Sequence, residues 1–154
     1  MDFFGEAWQY ILVFLMGAVP WIEIAAVIPL GILAGLNPVL TGTMAFLGNL
    51  ATVYGLVMFF DKIRQWRAAK KEALGKPNKK SDRAIALWNK YGLPGLSLLG
   101  PLLIGSHIAI FIAIVFGAKK HLALIWMTIS LALWSLIFTL ASMYGVDWFQ
   151  SLRG

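Results

Sequence analysis

Ten of the thirteen Lys and Arg residues in this 154-residue chain fall between residues 61 and 90, with long apolar stretches on both sides. They are Lys62, Arg64, Arg67, Lys70, Lys71, Lys76, Lys79, Lys80, Arg83 and Lys90, opposed only by Asp61, Glu72 and Asp82. Ten against three gives this segment a formal charge of +7; the whole chain is +6, so the remainder is −1. Lys and Arg are costly to carry across a bilayer, so such a block stays on the cytoplasmic side. It divides the chain into two apolar halves, each starting from a known side.

The membrane assignment rests on composition. Sixty per cent of residues are hydrophobic and the mean hydropathy is +0.78, more apolar surface than a soluble domain of this length can bury. The basic block is flanked by apolar runs, a placement that suits anionic lipid headgroups better than nucleic acid. Lys62, Arg64, Arg67 and Lys90 are the candidates for headgroup contact. The absence of Cys excludes disulfides and thiolate metal sites. The N-terminal residues Met1 to Glu6 lack the positive start of a signal peptide, and their acidic character agrees with an outside start.

The first apolar region, Ala7 to Pro38, is interrupted at Pro20-Trp21-Ile22-Glu23 and again at Pro29. The runs on either side of the first break, 7–19 and 24–36, hold 13 residues each. At about 1.5 Å per residue each reaches only about 20 Å, short of a hydrocarbon core about 30 Å thick. Two such arms predict a re-entrant hairpin. Val39 to Phe60 then supplies 22 residues, enough to cross.

The second half follows the same plan. Tyr91 to Ala118 is 28 residues, interrupted at Pro94-Gly95, Gly100-Pro101 and Gly105-Ser106-His107, and Leu122 to Gly145 supplies another 24. With Lys119 and Lys120 cytoplasmic, 91–118 is a second hairpin opening inward; with them outside, it is one kinked span. The hairpin reading gives an all-α integral membrane fold of two inverted repeats, each a re-entrant hairpin plus a transmembrane helix. The chain is then a single membrane domain, 1–154. Residues 7–60 form the first hairpin and span, 61–90 a basic cytoplasmic linker, and 91–145 the second hairpin and span. Interrupted segments at corresponding positions of two halves point to a transport site. Non-helical backbone at that depth must be buried in protein or line a wet cavity, so two facing tips would form a polar pocket. Within the linker, Ile63, Trp66, Arg67, Lys70 and Leu74 predict one interfacial helix. Ala84, Leu87, Trp88 and Tyr91 predict another, capped by Ser81 or Asp82.

The stretch Glu23-Ile24-Ala25-Ala26-Val27-Ile28-Pro29-Leu30-Gly31, the later Gly48-Asn49 and the Tyr91-Gly92…Gly100-Pro101 entry to the second half resemble the small multidrug export protein family, whose members look like relatives of the DedA superfamily. The resemblance covers nearly the whole chain. Two positions depart from it. The family often carries Arg soon after the Glu, where this chain has Ile24, Ala25 and Ala26. Its second hairpin often reads Pro-x-Pro-Gly-Thr-Gly, where this chain has Gly100-Pro101-Leu102-Leu103-Ile104-Gly105-Ser106-His107. The resemblance implies two re-entrant hairpins and a multi-pass protein of a bacterial plasma membrane. It also implies a transport role, which in DedA relatives is linked to moving lipid-linked phosphates or phospholipids between leaflets.

Glu23 is the one acidic residue inside an apolar segment. An ionised carboxylate is costly there, which makes Glu23 a candidate proton carrier; the bland alternative is a hydrated residue at a hairpin entrance. His107, beside Ser106, could pair with Glu23 or switch charge, or could simply bond a carbonyl freed by Pro101. Asn49 shares a face with Gly42, Ala45 and Thr52 and suits either a pocket wall or a helix–helix bridge. The stripe Thr128, Ala132, Ser135, Thr139 and Ser142 suits close packing, and Asn37 and Thr41 suit a cap on the first span. Pro29 and Pro101, with Pro20 and Pro94, interrupt helices and free backbone groups that could receive an anionic headgroup. Trp8, Trp21, Trp126, Trp134 and Trp148 read as interface belts.

Glu23 and His107 are too few for a metal site, and no nucleophile triad or phosphate-binding glycine loop is present. The expected protein is therefore not an enzyme, uses no cofactor and draws no energy directly from ATP. Its expected partners are membrane lipids, protons and an amphipathic or lipid-linked substrate, without nucleic acid. A homodimer would help bury the re-entrant arms. The expected function is proton-coupled transport of such a substrate, by lipid translocation or by hydrophobic drug export; a non-transporting membrane scaffold or assembly protein is the alternative.

Overall fold

A computed structural model describes residues 3–20, 22–60, 62 and 79–151. The described chain is helical throughout: α1 (Phe3–Ala18), α2 (Glu23–Leu33), α3 (Pro38–Met58), α4 (Lys79–Leu103), α5 (Ser106–Val115) and α6 (Lys120–Ser151). The first linker helix, Trp21, Arg64 and Arg67 lie outside the described residues. α3, over Pro38–Met58, and α6, over Lys120–Val146, are long and apolar enough to cross a membrane. α6 also leaves Ile125, Ile129, Leu133, Leu136 and Leu140 exposed along its length, an apolar face suited to lipid.

Each boundary has a local cause. α1 stops at Ala18, two residues before Pro20, because a residue preceding proline is pushed out of helical conformation. α3 opens with Pro38 at its first position, where the missing N–H costs nothing. Asn37 caps it: its Oδ1 accepts the backbone N–H of Val39 at 3.0 Å and of Leu40 at 3.1 Å. The Tyr10 hydroxyl accepts the Asn37 N–H at 3.1 Å. Thr41 is not part of this cap; it lies inside α3 with its side chain fully buried.

Three expected interruptions differ from the structure. Pro29 lies inside an unbroken α2, and only its own bond to the Ala25 carbonyl is forgone. Pro94 and Pro101 likewise lie inside α4. The kink in α4 falls instead at Gly92, with φ 63° and ψ −156°, which places Pro94 in the first turn of the segment that follows. That segment runs through Pro101 and ends before Gly105, whose φ of 99° and ψ of 143° belong essentially to glycine alone. Ser81 and Asp82 do not start a helix, because α4 already begins at Lys79.

The chain forms two compact units, residues 1–51 with 131–154, and residues 52–130. In the first, α1 packs on α2. Its backbone also lies directly on α3: a side chain at Gly17 would meet the Ala45 carbonyl at 2.6 Å, and one at Gly48 would meet the Phe14 carbonyl. Gly42 gives Thr139 of α6 the same room. Small residues at such crossings let helices gain van der Waals contact where lipid offers no hydrophobic drive for association. Val27, Ile28, Ala45 and Leu131 form the dry interior of this unit.

In the second unit α4 packs on α5, with Gly100 facing Ala109. Leu96, Ile110 and Met127 are fully buried. Phe60 meets Phe111 at 5.3 Å between ring centroids, and Trp88 stacks on Phe116 at 5.6 Å.

The two short helix pairs share a backbone pattern at a constant spacing of 82 residues. Two residues past the end of α2 lies Gly35 at φ 86°, and two past the end of α5 lies Gly117 at φ 95°. The bonds Gly35→Ile32, Leu36→Gly31 and Thr41→Asn37 have counterparts in Gly117→Ile114, Ala118→Ala113 and Ala123→Lys119. At the other end of the same helices, Glu23 (φ 51°) corresponds to Gly105 (φ 99°).

Candidate functional site

Glu23 begins α2, and its side chain is buried. It is the one non-glycine residue with positive φ among the described residues. L-residues visit that region rarely, and a Glu gains little there from the local side-chain bonding that helps Asn and Asp. Such strain persists only where the surroundings over-determine it, and it gathers at functional sites. Its amide donates to the Val19 carbonyl at a long 3.5 Å.

Asn49 is fully buried on α3, one turn beyond Ala45 and two beyond Thr41. Ser135 and Thr139 of α6 are buried in the same unit, and the Thr139 hydroxyl donates to the Ser135 carbonyl at 2.7 Å. The buried hydroxyls of Thr41 and Ser135 have no hydrogen-bond partner among the described residues. This unit thus holds polar groups at a depth where they are costly. Between α1 and α2 lies a cavity of about 230 Å³, lined by Leu12, Val13, Met16, Val27 and Leu30, with Gln9 as its polar side chain.

In the second unit Ser97, Ser106, His107 and Ser130 are the buried polar side chains among the described residues. His107 sits in the first turn of α5, 8% exposed, beside the fully buried Ser106. Thr52 Oγ1 lies 2.8 Å from its Nε2. Ser106 Oγ lies 3.1 Å from its Nδ1. Both ring nitrogens therefore meet hydroxyl groups, and neither of these bonds goes to a backbone carbonyl freed by Pro101. A neutral imidazole carries one N–H, so one hydroxyl donates to the ring and the other accepts from it. Pro101 is buried in α4.

Of the residues singled out from the sequence, Glu23, Pro29 and Asn49 belong to the first unit, and Pro101, Ser106 and His107 to the second. Sequence reasoning missed Thr52 as a partner of His107. The helical spacing from Asn49 to Thr52 pointed to the correct face of α3, but the residue met by that face lies 55 positions later. At the edge of the basic block, Lys62 and Lys90 are exposed, each beside an aromatic ring, Phe59 at 6.0 Å and Tyr91 at 5.1 Å. Trp8 and Trp148 are exposed, while Trp134 stacks on Phe138 at 5.6 Å.

No curated protein and no solved structure matches the chain significantly. One family model does match, and it covers residues 23–137, from the strained carboxylate that opens α2 to the middle of α6. A membrane export family and two apolar helices of crossing length are consistent with a membrane protein. The chain belongs to the small multi-drug export protein family.

Proposed function

We propose that this protein is a small multi-pass transporter that moves an amphipathic substrate across a bacterial plasma membrane in exchange for protons carried by Glu23. The family name suggests export of small drugs. The observation that carries the reading is Glu23 itself: a buried carboxylate held at positive φ where the equivalent turn of the other half uses glycine. A scaffold has no use for a strained carboxylate at that depth, whereas a proton carrier needs one.

The inverted arrangement is supported by helix length. Beyond Gly92, α4 retains 11 residues, Leu93 to Leu103, and α5 has 10. At about 1.5 Å per residue these are about 15–17 Å each, half of a bilayer core. Such a pair enters and returns on one side. A pattern that recurs after one full crossing, by α3, then recurs upside down, with residues 61–90 cytoplasmic. The apolar α1–α2 cavity suits the hydrocarbon part of a substrate, and Lys62, Arg64, Arg67 and Lys90 suit gathering of anionic headgroups. A phospholipid or lipid-linked phosphate, the substrate class of DedA relatives, fits both features. A hydrophobic drug fits the cavity alone. No step in this reading makes or breaks a bond in the substrate.

The test uses purified protein in vesicles with an imposed pH gradient, following a fluorescent phospholipid and a hydrophobic cationic dye side by side. Lipid translocation without dye movement selects the lipid substrate, and the reverse selects drug export. Glu23→Gln is expected to abolish the pH dependence of whichever flux is present. Full flux with unchanged pH dependence in that variant would remove Glu23 from the mechanism.

A further inference from the structure

We infer that Thr52, His107 and Ser106 form a proton relay within the 52–130 unit, with His107 as the transferring group and the two hydroxyls as its entry and exit. The relay rests on the transport reading for its purpose, but it uses residues separate from Glu23.

The geometry is that of a hydroxyl–imidazole–hydroxyl chain. Contacts of 2.8 and 3.1 Å on opposite ring nitrogens are both within proton-transfer reach. Among the described residues of this unit, His107 is the ionisable side chain that is buried. Among the side chains described on the neighbouring elements, the other ionisable groups are exposed. Tyr54 of α3 meets the Thr128 hydroxyl at 3.3 Å, and Lys90 of α4 lies over the Tyr91 ring. Lys120 of α6 lies 5.6 Å from the Phe60 ring centroid. Tyr91, Lys119 and His121 are exposed, as is Lys62 beyond the end of α3. α5 carries no ionisable side chain besides His107. A buried neutral imidazole has one donor and one acceptor to satisfy, and here both partners are hydroxyls, which can each give or take a proton.

The step balances. Thr52 Oγ1 passes its proton to Nε2 as it accepts another from outside the triad. The imidazolium so formed gives its Nδ1 proton to Ser106 Oγ, which releases its own onward. One proton enters and one leaves, and the ring returns to neutral in the opposite tautomer. Rotation of the two hydroxyls with reorientation of the ring restores the starting tautomer without returning the proton. Thr52 is half-buried, which gives the chain an end that can be reached, while Ser106 is fully buried. Thr52 is a positioning and conducting residue, and its methyl-bearing isostere Val keeps the shape while removing the oxygen.

The full chain in vesicles tests this with two readouts. The chain has two His residues, so His121→Gln leaves His107 as the single imidazole for ¹⁵N spectroscopy. The relay predicts both neutral tautomers in the wild-type ring and collapse to one in Thr52→Val. It also predicts that proton flux, read by an internal pH dye, falls at least tenfold in Thr52→Val, His107→Gln and Ser106→Ala, and that Thr52→Ser restores it. Folding is monitored by tryptophan fluorescence so that flux is compared per folded molecule. A single tautomer in the wild type at every pH, or Thr52→Val flux within twofold of wild type, overturns the relay and leaves the Glu23 transport reading intact. Two tautomers that respond to Thr52→Val, with no flux in any variant, overturn the transport reading and leave the relay standing.

Discussion

The backbone at residue 23 can be tested apart from the carboxylate it carries. Two variants, Glu23→Ala and Glu23→Gly, lose the same side-chain bonds and differ only in what the main chain permits. At φ 51° the Cβ of alanine keeps the strain of the left-handed region, about 1–2 kcal/mol, and glycine removes it. Glycine returns about 0.4–1 kcal/mol through the greater freedom of its unfolded chain. Glu23→Gly should therefore be the more stable of the two by about 1 kcal/mol. The reciprocal change, Gly105→Ala, forces a side chain into a conformation reserved for glycine and should cost about 1–3 kcal/mol. Reversible unfolding in mixed micelles, titrated with a denaturing detergent and followed by the fluorescence of the seven tryptophans, reads all three. Neither Ala nor Gly at position 23 should transport. Equal stability of the pair, or a more stable Ala variant, would refute the left-handed backbone at Glu23 and with it the argument that the carboxylate is held there at a cost.

Two further outcomes follow from the same geometry. Asn37→Ala removes the acceptor of the Val39 and Leu40 amides and should lower stability by about 1 kcal/mol in the same unfolding assay, while Asn37→Asp retains it. Single cysteines at Ala118 and Ser151, in a chain without other Cys, should show Ala118 protected and Ser151 labelled from outside intact cells; the opposite pattern would make residues 91–118 a simple span.

The helical class, both helices of crossing length and the break before Glu23 were legible because hydropathy and proline act locally. Asn37 was legible as a cap for the same reason. Pro29 and Pro101 suggest breaks, but a proline in a packed helix forgoes one bond and the helix continues when its neighbours hold it. Pro94 marks its break two residues late, because it opens the segment that follows the kink at Gly92. The interruption expected at Gly105-Ser106-His107 is present, whereas the kink at Gly92 rests on a positive-φ backbone alone. A sequence displays that conformation as one glycine among fifteen. Thr52 on His107 was invisible because a contact between residues 55 positions apart leaves no local periodicity.

The 82-residue spacing turns these particulars into an argument about which residues are chemical. Each short helix has a positive-φ residue at its start, Glu23 or Gly105, and a positive-φ glycine two residues past its end. Three of those four positions are glycine, the residue for which the conformation is cheapest. The fourth is Glu23. If the backbone alone mattered, glycine would serve there as well as at 105, and the helix would be more stable for it. The second half shows the complementary choice. With its turn filled by Gly105, the ionisable group appears two residues later as His107, inside the helix and bonded to hydroxyls on both ring nitrogens. The first half has Ala25 at the matching position, exposed and without chemistry. One backbone plan thus carries a carboxylate in one half and an imidazole in the other, and it accepts strain only for the carboxylate. That asymmetry is the ground on which the proposed proton-coupled carrier is preferred to a scaffold built from the same repeat.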